Sequence, residues 1–184
     1  MGKTYDELSP DHAAWIAKQP LFFVATAPLS AGGRVNLSPK GLDTLRVLDA
    51  RTVAYVDLTG SGAETVAHVS ENGRITLMFC AFEGAPRIVR VYGRGEIVVR
   101  GSELWEELAP RLPQVPGARA IVVVHVSSVA DSCGYGVPRL QRVAERDTLV
   151  EWARAKGPEG TAAYRREKNA RSIDGLPLPD FGGP

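Results

Sequence analysis

The chain has 184 residues, 44% hydrophobic and 23% charged, with a formal net charge of +1. That is the composition of an ordinary soluble globular domain with enough apolar residues for a sizeable core. A near-zero net charge gives no argument for nucleic acid or an acidic membrane surface, and Leu21–Ala27 and Ala120–Val124, the longest apolar runs, are far too short to span a bilayer.

Ser9-Pro10-Asp11-His12 predicts a first helix with Ser9 as N-cap and Pro10 at its first position, its apolar face made of Ala13, Ile16 and Ala17, ended by Pro20. Leu21–Ala27 is apolar on both faces and predicts a buried strand. Arg34–Ser38 alternates as a half-exposed strand does, and Pro39-Lys40-Gly41 is expected to break it. Thr52–Leu58 is another strand, running into Thr59-Gly60-Ser61-Gly62 and then into a helix opened by Ala63-Glu64-Thr65 and stopped near Asn72-Gly73. Arg74–Phe82 and Arg87–Arg100 follow as strands, the second with a bulge or bend at Gly93-Arg94-Gly95. Ser102 caps a helix to Leu112, Ala118–Val129 is the last clear strand, and Asp131–Pro138 is a glycine-rich loop. Asp147–Ala155 and Thr161–Ala170 are expected helices. About six strands with tight turns predict a mainly β fold, a small closed barrel with peripheral helices.

The stretch of greatest chemical interest is Thr59–Thr65. A strand, a flexible glycine loop and a helix start form an anion cradle, because the first helical N–H groups are unpaired and the helix dipole adds positive potential. Thr59, Ser61 and Thr65 could add hydroxyls; the alternative is a plain turn with Ser61 or Thr65 as a cap. His12, His68 and His125 sit singly, so no metal site is expected. The two cysteines are too few for a disulfide framework; Cys80 reads as core and Cys133 as a loop thiol. With no signal-peptide core near the start, a cytoplasmic location is expected. Trp105 and Trp152 read as packing, and Asp57, inside an apolar strand, needs a basic partner.

Four blocks in order, V-N-L-S-P-K-G (Val35–Gly41), Y-V-D-L-T-G-S-G-A-E-T (Tyr55–Thr65), N-G-R-I-T-L-M-F (Asn72–Phe79) and P-R-I-V-R-V-Y-G-R-G (Pro86–Gly95), resemble the pyridoxamine 5′-phosphate oxidase-like family of FMN-binding split barrels. The resemblance covers about residues 20–138, with 139–184 as a helical extension of one domain. The Cys133–Pro138 loop resembles one branch of that family rather than the oxidase proper. The resemblance implies a six-stranded antiparallel split barrel, a homodimer with flavin sites at its interface, and hydride transfer at flavin N5 to or from a small molecule. Deazaflavin and heme are the alternative cofactors, and a non-catalytic binding module is the alternative function. The flavin contacts it implies are Asn36, Ser38 and Lys40 along one strand face, Thr59, Ser61, Gly62 and Thr65 at the phosphate, and Arg90 toward the interface. Residues 59–65 contain no Arg or Lys, so basic help is expected from Arg34, Lys40, Arg87 or Arg90, with Glu64 turned outward. The oxidase's arginine-rich C-terminal segment has no clear counterpart; Arg139, Arg142 and Arg146 do not match its pattern.

Overall fold

The computed structural model describes residues 2–183. Its strands are β1 (Lys3–Tyr5), β2 (Phe22–Thr26), β3 (Asn36–Lys40), β4 (Leu45–Asp49), β5 (Thr52–Leu58), β6 (Arg74–Cys80), β7 (Ile88–Val99) and β8 (Ala118–Ser132). Its helices are α1 (Pro10–Ile16), α2 (Glu64–Asn72), α3 (Glu103–Leu108), which continues as a 3₁₀ turn over Ala109–Arg111, and α4 (Thr148–Lys168). All pairings are antiparallel, in the order β3-β2-β6-β7-β8-β5-β4, with β1 on the far end of β8. The fold is a mainly β antiparallel split barrel with helices around it.

Alternation places the core. Val24, Tyr55, Leu77, Val89, Val91, Val122 and Val124 point to one side and form a single interior cluster, capped by Ile16 of α1. The opposite faces of β5 and β8 carry Ala54, Val56, Ile121 and Val123, and Trp105, Leu108 and Leu112 cover them. Each such buried aliphatic side chain contributes about 1.5–3 kcal/mol. The apolar surplus on these two strands is therefore covered within the chain, by α3 and the turn after it. Long β7 and β8 share an edge throughout, with a register shift between Tyr92 and Gly93. A Cβ on Gly93 would stand 2.4 Å from the His125 carbonyl oxygen, so only glycine lets the strands approach there.

Several expectations change in detail. Among the described residues there are eight strands rather than six, because short β1 and β4 add to the set. Pro39 does not end β3 but lies inside it, opposite Phe23. An outer strand tolerates proline, since one of its edges needs no donor. In α1 the buried residues are His12 and Ile16, while Ala17 is exposed. His12 Nδ1 accepts from the Ser9 backbone N–H at 3.1 Å, which leaves Nε2 to donate to Asp131 at 3.1 Å. The two expected C-terminal helices form one element with a break: Gly157 sits at φ 67°, ψ 176°, and Pro158 restarts the helix.

Candidate functional site

The curl of the sheet brings β3 against β5, so Lys40 Nζ lies 3.7 Å from Asp57 Oδ1. Between β3 and the start of α2 lies a cavity of about 330 Å³, bordered by Asn36, Ser38, Lys40, Ser61, Gly62 and Thr65 with Arg119 among its lining residues. Helix α2 begins after Ala63 with no side-chain cap, so its first N–H groups stay free, and Gly73 closes it at φ 71°.

The loop at 59–63 is tied down through its backbone. Thr59 N–H donates to the Gly117 carbonyl at 2.8 Å. Asn169 Nδ2 donates to the Gly60 carbonyl at 3.0 Å, and Arg119 Nη2 to the Gly62 carbonyl at 3.0 Å. Arg119 also donates from Nε to Asp57 Oδ2 at 2.6 Å and from Nη1 to Asn169 Oδ1 at 2.8 Å. Arg119, Asp57 and Asn169 are all nearly fully buried. Asp57 thus has the basic partner it requires. Behind Thr59, Arg165 is 6% exposed; its Nη1 reaches the Thr59 hydroxyl at 3.4 Å, and its Nε has no partner. No carboxylate pairs with Arg165 among the described residues. Burial, then the charges of Arg100, Arg119 and Arg166, pull its pKa below the usual arginine value. Of these cations Lys40, which is part-exposed, and Arg119 border the cavity together with Glu64, while Arg165 stands behind the loop and lines other clefts.

Side-chain hydrogen bonds brace the rim. Asn36 Nδ2 donates to Thr26 Oγ1 at 3.1 Å and to Thr65 Oγ1 at 2.9 Å, which ties β3 to α2. Its donor is spent inside the fold, and the Thr65 hydroxyl keeps its own hydrogen for a ligand. Thr26 Oγ1 also meets Nδ1 of fully buried His68 at 3.0 Å. Ser38 Oγ is buried with no partner and borders the cavity.

Six of the eight flavin contacts that the resemblance implies, Asn36, Ser38, Lys40, Ser61, Gly62 and Thr65, thus border one cavity. Thr59 is 1% exposed and lies against the neighbouring cavity. Arg90 does not join them: its Nη1 bonds Ser132 Oγ at 3.2 Å at the far end of β8. Of the other cations expected to help, Arg34 pairs with Asp174, and Arg87 clamps Asp131 and Asp11. Glu64 does not turn freely outward. Its carboxylate folds back over Gly62 and accepts from the Ile173 N–H at 3.2 Å. Arg119, Arg165 and Asn169 had no signal in the sequence beyond their charge and polarity, since their partners lie far along the chain.

A second, larger cavity of about 870 Å³ adjoins the first across Pro39, Gly41, Leu42, Gly60 and Ser61. Leu21, Leu149, Trp152 and Tyr164 make its walls mostly apolar, with Arg142 and Arg146 beside them. Trp152 is thus a wall of an open cavity rather than core. Leu42, shared by both cavities, is held at φ 60°, a left-handed conformation that costs a non-glycine residue on the order of 1 kcal/mol or more.

The profile of pyridoxamine 5′-phosphate oxidase matches residues 8–133. The chain belongs to the pyridoxamine 5′-phosphate oxidase family. The pyridoxamine 5′-phosphate oxidase family protein ustO of Aspergillus flavus is 38% identical over 94% of this chain and 76% of its own length, a span that takes in most of residues 139–184. Among solved structures, HupZ of Group A Streptococcus superposes with a TM-score of 0.51 at 25% identity, covering 66% of this chain and 91% of that one. A candidate pyridoxamine 5′-phosphate oxidase from Lactobacillus delbrueckii does so with a TM-score of 0.51 at 17% identity, over 68% of this chain and 94% of that one. The family profile ends before α4, so the oxidase-like core supplies the cradle loop while Arg165 and Asn169 come from outside the matched stretch. No helix among the described residues is long and apolar enough to cross a membrane.

Proposed function

We propose that this protein is an FMN-dependent oxidoreductase whose cofactor phosphate lies in the cavity between β3 and the start of α2. The observation that carries this reading is the lining of that cavity: Lys40 and Arg119 stand with the buried, unpartnered Ser38 hydroxyl, Ser61 and Thr65 beside free helix amides. The residues fit the group. Lys40, the hydroxyls of Ser61 and Thr65, and the α2 amides would hold a phosphate, and Ser38 Oγ is a buried polar atom in want of a partner. Bound FMN would supply hydride transfer at N5. This chain's residues would orient it, exclude water and screen its phosphate charge. The adjoining cavity, walled by Trp152, Tyr164, Leu42 and Leu149, would take a substrate with an apolar body. We further propose a homodimer. Val35 and Leu37 stand exposed on and beside outer strand β3, and Tyr135, Leu140 and Val143 stand exposed along the segment between β8 and α4.

The test is a titration of the apoprotein with FMN and with riboflavin, followed in the flavin absorbance bands. One or two charge-assisted hydrogen bonds to the phosphate, about 1.5–3 kcal/mol each, predict at least about tenfold tighter FMN binding. Equal affinities, or no spectral change, would remove the reading. Deazaflavin or heme would show instead by a distinct visible spectrum. Anaerobic reduction of the bound flavin by a reduced nicotinamide, followed by reoxidation, separates an enzyme from a non-catalytic flavin carrier.

A further inference from the structure

We infer that Asn169 and Arg119 are positioning residues that set the polarity of the 59–63 loop, leaving its N–H groups free for an anion in the cavity by holding its carbonyls. The inference rests on the flavin phosphate reading above. In a planar trans peptide the carbonyl of one residue and the N–H of the next point in opposite directions. Asn169 holds the Gly60 carbonyl, so the Ser61 N–H points away from Asn169. Arg119 holds the Gly62 carbonyl, so the Ala63 N–H points away from Arg119. Ser61 and Ala63 both border the cavity, and neither N–H donates to any acceptor among the described residues. Two glycines in the loop would otherwise let these peptides turn over at little cost and present carbonyl oxygens to an anion.

The order within the cluster is fixed by chemistry. Arg119 can only donate, so the Asn169 atom it meets at 2.8 Å is Oδ1, and Nδ2 must face Gly60. Asp57 in turn anchors Arg119 through Nε at 2.6 Å. Asn169 stands just past the end of α4, at the C-cap, so the C-terminal helix delivers the residue that orients a loop over 100 positions earlier. Aspartate at this position would still accept from Arg119 but would set an oxygen against the Gly60 carbonyl, which turns that peptide over.

The experiment compares wild type, Asn169→Asp and Asn169→Ser by FMN and riboflavin titration, with thermal melts of each apoprotein. Asn169→Asp is expected to weaken FMN by tenfold or more and riboflavin by less than about twofold, so the FMN-to-riboflavin affinity ratio collapses. Asn169→Ser is smaller, keeps a donor in the cluster and guards against loss of folding; its ratio is expected to fall between the other two. A merely structural role would lower the melting temperature, or both affinities together, and leave the ratio unchanged; that result overturns the inference while the flavin reading stands. A wild-type ratio near one removes the flavin reading and the inference with it.

Discussion

His68 shows what the fold demands of a single side chain. It is fully buried on α2, with Nδ1 against Thr26 and Nε2 without a partner. Burial pushes its pKa below the ordinary histidine value, more than the nearby carboxylates Asp174, Glu64 and Glu71 pull it up. The sign follows directly. Below the unfolded value of about 6.5, the unfolded chain takes a proton that the native state refuses, so stability is full above that pH and declines as pH falls through it. Urea midpoints are expected to drop between about pH 7 and pH 5, and His68→Gln is expected to flatten that part of the profile. A profile unchanged by the substitution would assign the slope to other groups. Asp131 acts lower on the scale. The Arg87 guanidinium, with His12, holds its carboxyl below the usual range, so its contribution is lost only in more acidic solution.

Among the elements, α4 carries the sharpest backbone constraint. Gly157, at φ 67° and ψ 176°, occupies a region that essentially only glycine visits, with open space where a Cβ would stand. Gly157→Ala is therefore expected to cost about 1–3 kcal/mol through backbone strain alone, measured by chemical denaturation. No loss would mean the break relaxes into a continuous helix. That break was legible as a gap between two predicted helices, because Gly157-Pro158 punctuates any helical pattern. β5 was legible to the residue, since T-V-A-Y-V-D-L admits no other reading between its turns. β1 was missed because its three residues are all exposed and bear no alternation. β4 was missed because Leu45–Leu48 are all half-buried, with only Asp49 exposed, and give no period of two. The cradle loop could be read from glycines, hydroxyls and the helix start, all local signals. Its supports could not: nothing in A-R-A-I-V-V-V marks Arg119 as the partner of Asp57, and Asn169 meets Gly60 only through the tertiary fold.

At the scale of the whole molecule, the outer edge of β3 is the surface to watch. Leu37 is 63% exposed on that strand, and among the described residues the backbone edge beyond it has no partner strand. The proposed homodimer predicts a sedimentation coefficient for two copies at micromolar concentration, and Leu37→Asp is expected to shift it toward one. A wild-type monomer would place the flavin site within one chain instead. The ties behind the cradle span the molecule too, joining Thr59 to Arg165 and Gly60 to Asn169. On the ribosome the barrel strands emerge first, and the loop gains its final bonds only once α4 and Asn169 have been made. A nascent chain halted short of α4 would own the β core with the loop at 59–63 still lacking its ties to Asn169 and Arg165.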